Sequence, residues 1–393
     1  AIFLAFPFVM YWSPFLRIDM LALALSLAGL YLLVGDSVSS RRFVAAALLL
    51  VAAIFTRQSY ALAAPMAAFF WLLSRDWRRA FILAALVGGV ALFLFFILNG
   101  ITRGGFYYNI VTANINEFGL ERLEYNWDRF REAAILLLYA GGLSIFLIWR
   151  WNPLWALAVP YLIGALASAI TIGKIGSNVN YLLEACAALS LAAGIVIAWS
   201  RKYSPVRVLQ PMFLILFAWA MGGMLHIFLR DSAPDLQNRR ANLSGLNRLE
   251  TLVAETPGSI LADEYMGMLT LQGRPLVIQP FEVTQLANAG MWNQTPVLDS
   301  IQQNEFAAVI IYDQPWASER WTPEMLSKIE SFYILADNVA GNKVYLPRQR
   351  RTTLPTLTTC SGAVWRLPGD GTMGVKPSDG GLDFFGQGNA GQI

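Results

Sequence analysis

Apolar runs fill the first 230 residues, broken at short intervals by charged or proline-containing loops. They predict spans over about 20–35, 43–56, 59–74, 80–98, 133–149, 153–171, 181–199 and 208–229, after the tail of a further helix at 1–10. Several fall short of the roughly 20 residues that a simple span needs. The stretch 43–74 reads either as a helical hairpin or as one long tilted helix. Beyond 230 the pattern changes. "LSGLNRLETLVAETP" has helical spacing, "SILADE", "PLVIQ" and "AAVIIYD" are short β-rich runs, and "TPEMLSKIESF" has a threonine cap with proline in the first turn. "YILADNVAGNKVYLP" reads as a hairpin with a Gly-Asn turn. The expected fold class is a polytopic α-helical membrane protein with a C-terminal α/β domain. Its divisions are 1–230 helical, 235–347 α/β, and 348–393 a Thr-, Gly- and Pro-rich tail expected to be disordered.

Composition strengthens the membrane reading. The chain is 56% hydrophobic and 14% charged, against about 25% charged in soluble domains. A net charge of +3 is too small to argue for nucleic acid. Two cysteines and one histidine leave little for a disulfide framework or a Cys/His metal cage, so a metal site would have to use carboxylates. The chain opens at Ala1 inside an apolar run without the basic start of a signal peptide, and is read as lacking its natural N-terminus.

Charge also orients the loops. "GDSVSSRR", "RDWRR", "IWRWNP" and "SRKYSPVR" are short and hold nine Lys/Arg between them. The alternate set is "YWSPFLRID", "FTRQS", the stretch 99–132 and "TIGKIGSNVN", with seven Lys/Arg over roughly twice the length and with acids as well. The first set is expected on the cytoplasmic side, and the α/β domain outside. The alternation requires the hairpin reading of 43–74.

Four outer elements carry the candidate chemistry: Arg17 and Asp19 at the start of a span, Arg57 and Gln58 at the hairpin apex, the long aromatic loop, and "GKIGSNVNYLLE" with Lys174, Asn178, Asn180 and Glu184. Each has a plain structural reading. Arg17 can snorkel, Asp19 suits a helix N-terminus, and Phe106, Tyr107, Tyr108, Tyr125 and Trp127 suit an interfacial belt. Glu184 is harder to dismiss, because it lies about four residues into a span, where an unpaired carboxylate is costly. Read together, the elements describe a cavity opening outward near the interface. Arg17, Arg57 and Lys174 could hold a phosphate, and Asp19 and Glu184 a sugar, a metal or a proton. His226, Cys186 and the glycines of "GGLSIFLIW" and "MGGM" read as packing positions.

"SPFLRIDMLALALSLAGLYLL", "FTRQSYALAAPMAAFFWLL" and "GSNVNYLLEACAALSLAAGI", in that order before an outer α/β domain, resemble the GT-C membrane glycosyltransferases. Within them the chain looks like the bacterial family 39, protein O-mannosyltransferase-like and aminoarabinose-transferase-like group. The resemblance covers about residues 1–347. It implies a polyprenyl-phosphate sugar donor, an inverting transfer at the outer face of a bacterial inner membrane, and a lipid, glycan or protein acceptor. It also implies a catalytic base in an outer loop upstream of Ala1, a further acid at Asp19, and a cation near the donor phosphate at Arg57. Lys174, Asn178, Asn180 and Glu184 fall in its later outer-loop motif. Some members of the class use a divalent metal and others do not, so no cofactor is fixed. Two other classes stay open: a transporter or flippase of a lipid-linked substrate, which would put polar groups at mid-membrane, and a non-catalytic or truncated membrane protein whose α/β domain binds a partner.

Overall fold

A computed structural model describes residues 1–348 apart from 16, 36–37, 115, 149–153, 203–207 and 316–318, together with the backbone of 364–366, 372–378 and 381–387. The chain is mostly helical. A short pair, α1 (Ile2–Ala5) and α2 (Pro7–Trp12), leads into α3 (Ile18–Leu33) and α4 (Ser40–Thr56). The chain turns at Arg57 through a 3₁₀ segment, Gln58–Ala61, into α5 (Ala63–Leu73). Then come α6 (Trp77–Ile101), α7 (Gly105–Ile110), α8 (Leu120–Ile148), α9 (Trp155–Ala169), α10 (Leu183–Lys202) and α11 (Gln210–Ala241). Side chains set the starts of α4 and α6: Ser39 accepts from the Arg42 amide, and Asp76 accepts from those of Arg78 and Arg79.

Among the described residues four helical stretches are long and apolar enough to cross a membrane: Trp77–Ile101, Trp155–Gly173, Val179–Arg201 and Gln210–Asn238. Ile18–Leu33 and Gln58–Leu73 are apolar but shorter. The apolar windows of the first and last long stretches are only 11% buried within the protein, and α6 turns Leu92, Phe93 and Phe96 outward. Apolar surface on that scale associates the protein with a membrane.

The stretch 43–74 is a hairpin. Arg57 is extended, at φ −157° and ψ 121°, which ends α4. The Trp71 indole donates to the Leu33 carbonyl at 2.7 Å, and Arg79 to that of Val38 at 3.1 Å. So α5 runs back to the end of the bundle where α3 finishes. At the opposite end lie Arg17, Arg57 and a pairing of the two later loops, where Gly119 N–H donates to the Gly173 carbonyl and Ile175 N–H to that of Glu117.

The amphipathic "LERLEYNWDRFREA" forms the first half of α8, an unbroken helix of 29 residues. No glycine or proline interrupts it before residue 141. Its polar turns are tied to α11, by Arg129 to Asp231 at 3.4 Å and by Arg230 to Glu132 at 2.9 Å.

The α/β domain holds α12 (Leu243–Glu255), β1 (Ser259–Ala262), α13 (Met266–Leu271), α14 (Pro280–Asn288), α15 (Thr295–Gln302), β2 (Phe306–Tyr312), α16 (Pro323–Phe332), β3 (Tyr333–Val339) and β4 (Asn342–Pro347). The sheet order is β1-β2-β4-β3, with β1 parallel to β2 and the other pairs antiparallel. Thr322 caps α16 as its sequence predicts, accepting from the Met325 amide at 3.2 Å. "PLVIQ" is not a strand. Pro275 and Pro280 bracket it and remove ladder donors at both ends, so β1 stays an edge. The hairpin turn is Ala340–Gly341, one residue earlier than expected, with φ of 51° and 75° as a type I′ turn needs.

Most of the tail predicted to be disordered, together with Cys360, lies outside the described residues. Within it Val364–Arg366, Thr372–Ser378 and Gly381–Gln387 pair as a three-stranded antiparallel sheet.

Candidate active site

Asp19 enters the first turn of α3 because Arg17 before it is extended, at φ −114° and ψ 150°. That geometry turns the carboxylate inward, where it is fully buried. Trp12 Nε1 donates to Oδ2 at 2.8 Å, and Asn180 Nδ2, from the 3₁₀ turn Val179–Leu182, donates to Oδ1 at 2.9 Å. The Arg57 guanidinium forms an ion pair with Oδ1, and Arg17 Nε lies 3.6 Å from Oδ2. Tyr60 OH reaches the Asp19 carbonyl at 3.3 Å. Every side-chain partner of this carboxylate is a donor, and both oxygens accept.

The two arginines differ. Arg57 is clamped: its Nε donates to Ser59 Oγ at 2.9 Å, its guanidinium lies 4.5 Å from the centre of the Tyr181 ring, and its side chain is 11% exposed. Arg17 lies 4.8 Å from the centre of the Trp12 ring, yet its side chain is 56% exposed. A guanidinium held by an aromatic face and a buried carboxylate while open to solvent is prepared for an anion.

The other predicted residues spread around this hub. Gln58 is exposed and lines an apolar recess of about 230 Å³ with Phe55, Phe95 and Phe106. Phe106 stacks on Phe55 with centroids 6.1 Å apart, so this loop aromatic packs on α4 and not in a free belt. A second apolar recess of about 300 Å³, lined by Pro65, Phe69 and Gly88, adjoins it, and the two share Ile54 and Ala91. Asn178 is exposed, and its Oδ1 accepts from the Val179 amide at 2.7 Å. Lys174 bridges Phe118 through its backbone, and among the described residues its ammonium has no ion-pair partner.

Glu184 is buried at 4% exposure within electrostatic reach of Tyr60 and Tyr161, and its Oε1 has no hydrogen-bond partner. The Tyr161 hydroxyl is likewise unpartnered. A buried carboxylate so poorly satisfied destabilises the fold. Glu184→Gln is therefore expected to leave the thermal midpoint in detergent unchanged or to raise it. A fall of several degrees would show that the charge is held by an interaction this geometry lacks.

Trp12, Ser59, Tyr60 and Tyr181 were not singled out from the sequence. Their signal was aromatic and hydroxyl residues one to five positions from the candidate cations and amides, in "YWSPFLRID", "RQSY" and "NVNY". Among the described residues no three His, Cys, Asp or Glu side chains gather as a metal site. Compared with known proteins, the chain matches no family model, no curated protein and no solved structure.

Proposed function

We propose that the protein is a membrane glycosyltransferase that moves a sugar from a polyprenyl-phosphate donor to an acceptor at the outer face of a bacterial inner membrane, with inversion. The observation that carries this reading is the buried Asp19 carboxylate holding one clamped arginine, Arg57, and one open arginine, Arg17, at a single end of an apolar helix bundle. The basic loops cluster at the opposite end, which favours the outside for this end.

The geometry supports the following roles. A departing lipid phosphate needs positive charge fixed where negative charge grows. Arg17 meets that phosphate, with Lys174 as a second cation. Arg57 and Asp19 are positioning residues: Asp19 accepts on both oxygens, and its charge aims the guanidiniums. The two adjoining apolar recesses along α4, α5 and α6, one of them lined by Gln58, suit the lipid chain of the donor. A transporter would gather its polar groups near the middle of the bundle, whereas Arg17, Asp19, Arg57 and Asn180 meet at one end.

The test uses the full-length gene product in nanodiscs with radiolabelled polyprenyl-phosphate sugars. Arg17→Ala is expected to cut donor cleavage roughly 100-fold, the scale for losing one electrostatic stabiliser, while melting stays unchanged. If no donor is cleaved by the wild type, or if Arg17→Ala cleaves normally, the reading fails.

A further inference from the structure

The α/β domain is seated on the outer loops at two points. Gly176, at φ +79°, lies against the Phe281 ring, where a Cβ would meet Cζ at 2.4 Å. Arg122, at the start of α8, pairs with Glu319 of the domain. Between these points is a cavity of about 540 Å³, within the usual range for small-ligand sites. Arg17 is on its membrane-domain wall. Its domain wall lies at the carboxyl ends of the parallel strands β1 and β2, where open α/β sheets commonly hold ligands.

The chemistry of the lining is specific. Arg17, Arg122 and Arg320 face Asp263, Glu264 and Glu319, so the formal charges cancel. Asp263 is consumed in building the wall: it accepts from the Glu264 and Tyr312 amides and from Trp321 Nε1 at 2.5, 3.0 and 2.9 Å. Glu264 pairs with Arg320. Two amides each spend their carbonyl on a local cap, Asn178 on Val179 N–H and Gln279 on Glu282 N–H at 2.6 Å. Among the described residues their NH₂ groups have no protein partner, and Ser177 Oγ keeps its lone pairs, its one proton being shared between the Ile172 and Lys174 carbonyls. A wall of ion pairs, amide donors and a hydroxyl, with no net charge, matches alternating hydroxyl donors and acceptors better than it matches an ion.

We propose that this junction cavity is a saccharide subsite, which takes a neutral polyhydroxylated acceptor and presents it to Arg17. Its role as an acceptor site rests on the glycosyl-transfer reading; saccharide binding itself does not. The same hydroxyl chemistry is offered by a free oligosaccharide and by a glycolipid headgroup.

The full chain in nanodiscs is titrated by calorimetry with maltotriose and with diacetylchitobiose, and in a second arm is mixed with vesicles carrying a neutral glycolipid. Glucuronate and inorganic phosphate serve as the charged comparisons. Saturable binding of a neutral saccharide is expected, weakened at least tenfold by Gln279→Ala and by Asn178→Ala with melting lowered by no more than the loss of one helix cap, and stronger than binding of either anion. Binding of the soluble sugars identifies a free glycan; binding confined to vesicles identifies a membrane-borne headgroup. The proposal is overturned if neither arm binds, if an anion binds as tightly, or if both amide variants bind like the wild type. Donor cleavage is measured separately, so its absence beside intact saccharide binding removes the transfer reading alone.

Discussion

Asp19→Asn is expected to be among the most damaging conservative changes in the helix bundle, lowering unfolding stability by about 3 kcal/mol or more. The substitution keeps shape and volume, yet Asp19 is ringed by the Trp12 indole, the Asn180 amide and two guanidiniums, all of them donors. An asparagine NH₂ turned toward any of them puts donor against donor, and the lost charge leaves Arg57 buried without its counter-ion. Denaturant or thermal unfolding in detergent reads the loss. A coupling test separates this cause from simple cavity effects. Adding Arg57→Met to Asp19→Asn is expected to restore part of the stability, because the stranded charge is gone. Additive losses would mean that the two groups do not act as a pair. Under the proposed transfer reaction, donor cleavage is expected to fall with Asp19→Asn even in the folded fraction, since Arg17 is aimed by the same carboxylate.

The second large effect is expected at Gly164→Leu, where α9 crosses α5. A Cβ at Gly164 would lie 2.7 Å from the Ala63 Cα and 2.9 Å from Met66 Cε. Backbone cannot give way as a side-chain tip can, so the helices must separate. Overpacking of this kind costs about 1–3 kcal/mol, and a whole leucine at a backbone contact belongs at the top of that range. Both helices carry the site: α5 follows the turn that holds Arg57, and Ser168 near the end of α9 donates to the Ser59 carbonyl at 3.0 Å. The matched control is Gly222→Ala, since nothing lies within 4 Å of a Cβ there. A lower midpoint is expected for the first variant and an unchanged or slightly raised one for the second. Equal melting of both would remove the close α5–α9 contact as a determinant of the bundle.

These glycines show the limit of local reading. "GGLSIFLIW" and "MGGM" look alike as small-residue packing signals. Gly141 does meet Leu189 and Leu162 at 3.1 and 3.2 Å, but Gly142, Gly222 and Gly223 meet nothing. Gly164, the tightest of the bundle glycines against backbone, stands in an ordinary apolar run. A glycine's role depends on which helix lies opposite, and that is written in no short window.

The sequence by itself determined the division into an apolar helical part and an α/β part, because burying apolar surface and capping helix ends are local requirements. It also determined the loop alternation that forces a turn at Arg57, and the Thr322 cap of α16. Where neighbours decide the outcome, tertiary structure overrode it. "PLVIQ" has strand composition but no donors to offer at its proline-bracketed ends, and "LERLEYNWDRFREA" has an interfacial pattern but runs unbroken into the rest of α8, with ion pairs to α11 on its polar turns. The site follows the same rule. Arg17, Asp19, Arg57 and Asn180 were visible as charges and amides at one face, since polar groups beside apolar runs are conspicuous. Only packing across 161 positions put Asn180 against Asp19, buried that carboxylate among donors alone, and left Arg17 as the open cation beneath a cavity roofed by the α/β domain.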